Sequence, residues 1–249
     1  METTKAAASF AHLQAMLDKV LATQASQIQT AASLLATTLR EGGNLFAFGC
    51  NHAALCTLEL FYRTGGLVPV NPLRGPGITL DVDPVTLTTR MERLTGYGRD
   101  LLDESPARSG DVLVIHSVSG RNAVPIDMAL RAAEKGIRTV CLTNLATSSA
   151  IPSRHPCGRS LYQLCDVVID NCGDYGDAAM SIDGFMGNIA PTSTTIGTAI
   201  LNAVVLETCV LLVEAGMEPP VFVSSNVPGG DAYNARLLDG YKDRSFYMG

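Results

Sequence analysis

The sequence predicts an α/β fold: a three-layer α/β/α sandwich around a parallel five-stranded sheet, preceded by a long N-terminal helix. Three observations predict it. Short continuous runs rich in β-branched residues, such as Asp111-Val-Leu-Val-Ile115, alternate with helical stretches, as in a parallel sheet covered on both faces. The N-terminal segment carries apolar side chains at three-, four- and seven-residue steps. Hydrophobic residues are 47% of the 249 and charged residues 17%, enough for a large core and too apolar for a disordered chain.

The elements follow in order. Phe10, Leu13, Leu17, Val20, Leu21, Ile28, Leu35 and Leu39 mark one long helix, which Glu41-Gly42-Gly43 ends. At about 1.5 Å per residue its span is roughly 57 Å. That exceeds the width of one small domain, so part of the stripe is expected to pack on another subunit; a bent helix or a helical hairpin is the alternative. Residues 1–43 are read as a helical extension and residues 44–249 as one α/β domain. Asn44 to Gly49 is a short apolar strand and Ala53 to Arg63 a helix. Leu67 to Val70 is a second strand, and Pro72 to Pro84 a Gly/Pro-rich loop. Thr86 to Leu102 reads as helix, Asp111 to Ile115 as strand, Ala123 to Lys135 as helix and Ile137 to Leu142 as strand. Asp166 to Asp170 is the fifth strand, and Thr194 to Glu214 a long apolar helix.

Composition narrows the chemistry. Eighteen basic against 24 acidic residues leave a net charge of −6, which argues against nucleic acid as a partner. Small phosphorylated ligands stay open, because aimed backbone N–H groups hold a phosphate without a basic surface. Seven cysteines without a CxxC pair suit a reducing, cytoplasmic setting. The N-terminal segment, with Glu2, Lys5, His12 and Asp18, has no signal-peptide core. The uncharged run Gly184 to Leu206 is long enough to span a bilayer. Pro191, Asn188 and Asn202 argue instead for a buried helix in its second half, so no membrane partner is expected.

Ligands of an open parallel sheet collect at the carboxyl ends of its strands. Two such ends are distinctive: Gly49-Cys-Asn-His-Ala53, and His116-Ser-Val-Ser-Gly-Arg-Asn122. In the second, Gly120 permits a tight turn, and Ser117 and Ser119 stand where a helix N-terminus presents free N–H groups. Helix capping by Ser119 or Asn122 explains the same residues. A third polar cluster, Ala190-Pro-Thr-Ser-Thr-Thr195, starts the last long helix. There is no GxGxxG, no Walker A motif and no GxSxG elbow at these turns.

Together these segments resemble the sugar isomerase (SIS) domain family, which binds phosphorylated sugars. Ser117-Val-Ser-Gly-Arg-Asn122 is similar to that family's SxSGxT phosphate loop, with Asn122 in place of Thr. Ala190 to Thr195 is similar to the APTSST stretch of arabinose-5-phosphate isomerases. Arg90-Met-Glu-Arg-Leu-Thr-Gly-Tyr-Gly98 is similar to the glutamate-bearing stretch of N-acetylmuramic acid 6-phosphate etherases. The resemblance runs from about Asn44 to about Ala215, nearest to a branch in which some members are called phosphoheptose isomerases. It departs at the first loop, where the family has GxGxS or GxGHS and this chain has Asn51 and Ala53. It departs again at Asn188, where glucosamine-6-phosphate synthases carry a glutamate.

The resemblance implies a sugar-phosphate ligand held by Ser117, Ser119, Gly120 and Asn122, helped by Ser193 or Thr194, with Asn51 or His52 replacing the lost serine. It implies an aldose–ketose isomerase working through an enediol; an ether lyase and a non-catalytic phosphosugar sensor are the alternatives. Isomerisation needs a base to shuttle a proton and an acid for the oxygens. Glu92 is the first candidate base and Glu59 the second, although Arg63 at i+4 makes Glu59 equally a structural ion pair. His52 is the candidate for the oxygens. His116, at the end of a strand, reads as structural, and His155 lies in a loop able to reach across a dimer. Residues 224–234 and Lys242 are candidates to close over the sugar. Gly173 to Asp177 and Asp81 to Asp83 lack metal-ligand spacing, so neither a metal nor a cofactor is expected. A homodimer or homotetramer is expected, from the apolar surface of the two long helices.

Overall fold

A computed structural model of the chain describes residues 4–248. The elements are α1 (Lys5–Arg40), β1 (Leu45–Gly49), α2 (His52–Leu58), β2 (Val70–Pro72), α3 (Leu87–Met91), α4 (Tyr97–Asp103) and β3 (Val112–His116). Then come α5 (Ala123–Lys135), β4 (Arg138–Thr143), α6 (Leu145–Ala150), β5 (Val167–Asp170), β6 (Ala178–Ser181), β7 (Asn188–Pro191), α7 (Ser193–Glu214) and α8 (Gly230–Gly240). The first five strands form one parallel sheet in the order β2-β1-β3-β4-β5. Alternation along β1 divides the core. Leu45 and Ala47 join the cluster under α1 and α7, whereas Phe46 and Phe48 join the one under α4 and α5. Helices therefore cover both faces, as the continuous apolar strands require.

The long N-terminal helix forms as one piece of 36 residues, capped by the Thr4 hydroxyl on the Ala7 N–H. Its later half packs on α7 through Ala31, Ala32, Leu35 and Leu39, and the small alanines let the Thr208 hydroxyl reach the Ala32 carbonyl at 3.5 Å. Its earlier half leaves Phe10, Leu17 and Leu21 exposed. By length and composition α7 could cross a membrane. It packs instead against α1 and α2, leaving Leu206, Val210 and Val213 exposed.

Four expectations change. The second strand is Val70–Pro72, in register with Leu45 to Ala47, while Leu67 bridges antiparallel to Val221. Pro72 is tolerated because β2 is an edge strand. The helix after β1 stops at Leu58, with Tyr62 turning back at φ 45°. Residues 86–102 are two short helices rather than one. Gly96 breaks them with φ 92°, and its N–H donates to Asp127 Oδ2 at 2.7 Å. Finally, an exposed antiparallel hairpin, β6–β7, and helix α8 form in stretches to which the sequence reading assigned no strand or helix, and β7 takes up Ala190 and Pro191, which were read as part of the helix start.

Candidate functional site

In this strand order the chain passes from β1 to β2 on one side and returns to β3 on the other. The switch point therefore lies between the carboxyl ends of β1 and β3. The two distinctive loops meet there, because Gly49 and His116 are paired in register.

The first loop is built on close approach. A Cβ on Gly49 would lie 2.6 Å from the Ala53 carbonyl, so no side chain fits. Asn51, where the family carries its second glycine, adopts φ 54° and ψ −131°, a conformation natural to glycine. Holding a side-chain-bearing residue there costs about 1–3 kcal/mol and needs compensating contacts. Two are present: its N–H donates to the Ile78 carbonyl at 2.8 Å, and its Nδ2 donates to Glu92 Oε2 at 2.9 Å.

Glu92 thus stands at the switch point. It is half-buried at the end of α3, and its carbonyl accepts from the Val124 N–H in the first turn of α5 at 3.1 Å. One residue ties the first loop to the helix that follows the second.

The second loop is held from beneath by its own backbone. The Thr143 hydroxyl donates to the Ser117 carbonyl at 2.7 Å, the Asn144 N–H to the Val118 carbonyl at 3.1 Å, and the Leu161 N–H to the Gly120 carbonyl at 2.8 Å. Gly120 turns with φ 58°, and its N–H donates to Ser117 Oγ at 3.3 Å. Asn122 occupies the N-cap position of α5, yet its side chain caps no backbone N–H. Its Oδ1 accepts instead from Arg154 Nη1 at 2.7 Å. Ser119 is half-buried between these groups.

The third cluster is arranged differently from the sequence expectation. Ser193 donates its hydroxyl to Asp177 Oδ2 at 2.8 Å and its N–H to Oδ1 at 2.8 Å, so a carboxylate of the chain already sits on the start of α7. Thr194 is half-buried beside it, its carbonyl 3.6 Å from the Cys56 thiol.

Glu59 caps the far end of α2, in an ion pair with Arg63 and 3.5 Å from Asn202 Nδ2. These contacts are those of a structural pair. His52 opens α2 and is exposed. His116 is buried; its Nδ1 donates to the Ala53 carbonyl at 3.0 Å, and Nε2 has no partner. Burial pushes the imidazole down to about 4, so it is neutral near pH 7. His155 is paired with Asp127: its Nε2 lies 3.0 Å from Asp127 Oδ1, a buried pair that pins loop 151–158 to α5. A buried aspartate in the apolar run Val124 to Met128 was the signal for this contact, and sequence reasoning passed over it.

Beside Asn51 a cavity of about 510 Å³ opens between α2 and the Gly/Pro-rich loop, lined mainly by apolar groups such as Leu55, Leu58, Leu73 and Leu80. Among the described residues no group of three or more His, Cys, Asp or Glu side chains is placed to hold a metal.

Comparison with known proteins agrees with this fold. The SIS domain profile matches residues 10–144. The UPF0309 protein of Oceanobacillus iheyensis is 47% identical over 222 residues, covering 89% of this chain and 90% of that protein. The UPF0309 protein of Streptomyces coelicolor is 42% identical, covering 93% of each. Among solved structures, the phosphoheptose isomerase of Francisella tularensis superposes with a TM-score of 0.55 at 13% identity, covering 82% of this chain and 96% of that one. The phosphoheptose isomerase of Neisseria gonorrhoeae gives 0.52 at 18% identity, covering 84% and 97%. At such identities the likeness is one of fold. With these sequence matches and the five-stranded parallel sheet, the chain belongs to the SIS domain family, and within it to the UPF0309 proteins.

Proposed function

We propose that the protein is a sugar-phosphate isomerase whose site is the crevice between β1 and β3. The observation that carries the reading is Glu92: a half-buried carboxylate, held by Asn51, at the rim of the loop Ser117 to Asn122. In this reading Ser117, Ser119, the Gly120 N–H and Asn122 hold the phosphate, with the start of α5 adding its dipole. Thr194 lends a hydroxyl from α7, while Ser193 positions that helix start through Asp177. The sugar then extends toward Asn51, where Glu92 takes a proton from the carbon beside the carbonyl and returns it to the neighbouring carbon. His52 exchanges the proton on the oxygens. Glu59, engaged with Arg63, ranks second as base. The phosphoheptose isomerases that share the fold are consistent with this chemistry.

A sugar phosphate at about 100 times its dissociation constant is expected to add roughly 2.7 kcal/mol of stability. A panel of sugar phosphates in a thermal-shift assay tests this, with Ser119→Ala reducing the shift. No shift with any member, or an undiminished shift in Ser119→Ala, places the phosphate elsewhere.

The reading includes self-association. Phe10 and Leu21 on α1 and Leu206 and Val213 on α7 are each more than 60% exposed, two apolar stripes that a second copy would cover. Light scattering at micromolar concentration is expected to give at least twice the 26.3 kDa chain mass. Leu206→Lys combined with Val213→Lys is expected to shift it toward the monomer. A wild-type protein at the monomer mass would reject the assembly.

A further inference from the structure

The start of α5 offers an anion fewer backbone donors than a helix start usually presents. In its first turn the Val124 N–H is spent on the Glu92 carbonyl at 3.1 Å, and Pro125 has no N–H to give. Side chains therefore carry more of the hold on a phosphate, and Asn122 is the one that stands at the N-cap.

An asparagine in that position ordinarily caps its own helix. This one does not; its Oδ1 accepts from Arg154 Nη1 at 2.7 Å. A guanidinium has donors only, so the oxygen end of the amide is the end that faces it. The Nδ2 end, a donor, is what remains. For an anion the difference decides the sign of the interaction, because an amide turned the other way would present its oxygen and repel a phosphate. The threonine of the family's loop has no such ambiguity, since a hydroxyl rotates to donate.

Arg154 is held on both sides of its attachment to the chain. Its backbone N–H donates to the Arg121 carbonyl at 2.8 Å. In the next residue, His155 Nδ1 accepts from the Cys157 N–H at 3.1 Å, which leaves the imidazole proton on Nε2, 3.0 Å from Asp127 Oδ1. Both side chains of that pair are less than one-tenth exposed, and the other Asp127 oxygen accepts from the Gly96 N–H at 2.7 Å. A buried aspartate on α5 thus fixes the point from which an exposed arginine reaches back to the start of the same helix. A hydrogen bond between two exposed side chains adds little to folding, so stability alone does not account for so firm a base.

We infer that Arg154 is a positioning residue of the phosphate site: it fixes the Asn122 amide with Nδ2 toward the phosphate, and the pair does the work that a threonine hydroxyl would do alone. This rests on the phosphosugar reading and adds to it a residue from outside the phosphate loop, 32 positions along the chain.

A double-mutant cycle with inorganic phosphate as the probe tests it, each dissociation constant being taken from the rise of the melting temperature with phosphate at fixed ionic strength. Arg154→Met removes the donor at an exposed position and leaves the backbone bond to Arg121 in place. It is expected to weaken phosphate binding about tenfold, the worth of one hydrogen bond to a charged group. Asn122→Thr is expected to bind phosphate about as well as the wild-type protein. In the Asn122→Thr background, Arg154→Met is expected to change the affinity by less than about twofold, because the hydroxyl needs no partner to orient it. Undiminished binding in Arg154→Met overturns the inference. So does an equal loss in the Asn122→Thr background, which would make Arg154 a direct contact or a prop for its loop, and so does an Asn122→Thr protein that no longer binds phosphate. If the wild-type protein binds neither inorganic phosphate nor any member of the sugar-phosphate panel, the phosphosugar reading itself has failed and the inference with it, a result distinct from each of the others.

Discussion

Glu92→Gln is expected to keep its affinity for a sugar phosphate while losing turnover by about 10²–10⁴-fold, the usual contribution of a general base. The substitution keeps the shape of the side chain. It also keeps an oxygen to accept from Asn51 Nδ2, so the strained first loop retains its tether. The carbonyl of residue 92 still accepts from the Val124 N–H, because that contact is backbone to backbone. What is removed is the ability to take up a proton, together with one negative charge at the rim of the site. The effect therefore belongs in kcat, with KM nearly unchanged. Deuterium exchange from solvent into a turned-over substrate is the direct measurement. Exchange lost in Glu92→Gln and kept in Glu59→Gln is the expected result. The opposite pattern would move the base to the far end of α2, despite its ion pair with Arg63, and unchanged exchange in both would remove the two carboxylates from the mechanism.

Acidification is expected to remove up to about 3 kcal/mol of stability through His116 alone. The imidazole is buried among α2, β3 and α7, with Nε2 unpartnered, so protonation places in the core a charge that the Ala53 carbonyl and the more distant Asp177 only partly offset. Its value falls from 6.5 in the unfolded chain to about 4 in the native protein. Between those values the unfolded state binds the proton and the native state does not. The contribution is complete above pH 6.5, drains as the pH falls, and is exhausted below about pH 4. Urea unfolding at pH 7 and pH 4.5 measures it. His116→Gln is expected to lose less stability across that interval than the wild-type protein, whatever its stability at pH 7. Equal losses would mean that His116 finds a partner for its proton.

The two halves of the candidate site differed in how readily they could be read. The loop Ser117 to Asn122 was legible because its determinants are local: a strand, a glycine that must turn with positive φ, and a helix start, all within a dozen residues. Ser193 misled. Its place in a hydroxyl run at a helix start resembles a phosphate ligand, but the partner of that hydroxyl, Asp177, arrives just before a hairpin whose four-residue strands are too short to show a period. The break at Gly96 was missed because residues 86–102 keep a helical composition throughout. What stops the helix is the hydrogen bond from Gly96 to Asp127, 31 residues away. Close packing of α4 on α5 adds to this, since a Cβ on Gly98 would lie 2.2 Å from the Val124 carbonyl.

By itself the sequence determined the class of fold, the order and kind of the long elements, and the rim of the sheet at which chemistry is possible. Those properties rest on short-range physics: apolar periodicity, β-branched runs, glycine turns and helix ends. Tertiary structure alone decided which polar groups meet. Asn51 and Glu92 are 41 residues apart in the chain and 2.9 Å apart in space, and Arg154 reaches Asn122 across 32. No periodicity encodes such meetings. They depend on strand order, on where α3 and loop 151–158 come to rest, and on the need of each half-buried polar group to find a partner once water has been excluded.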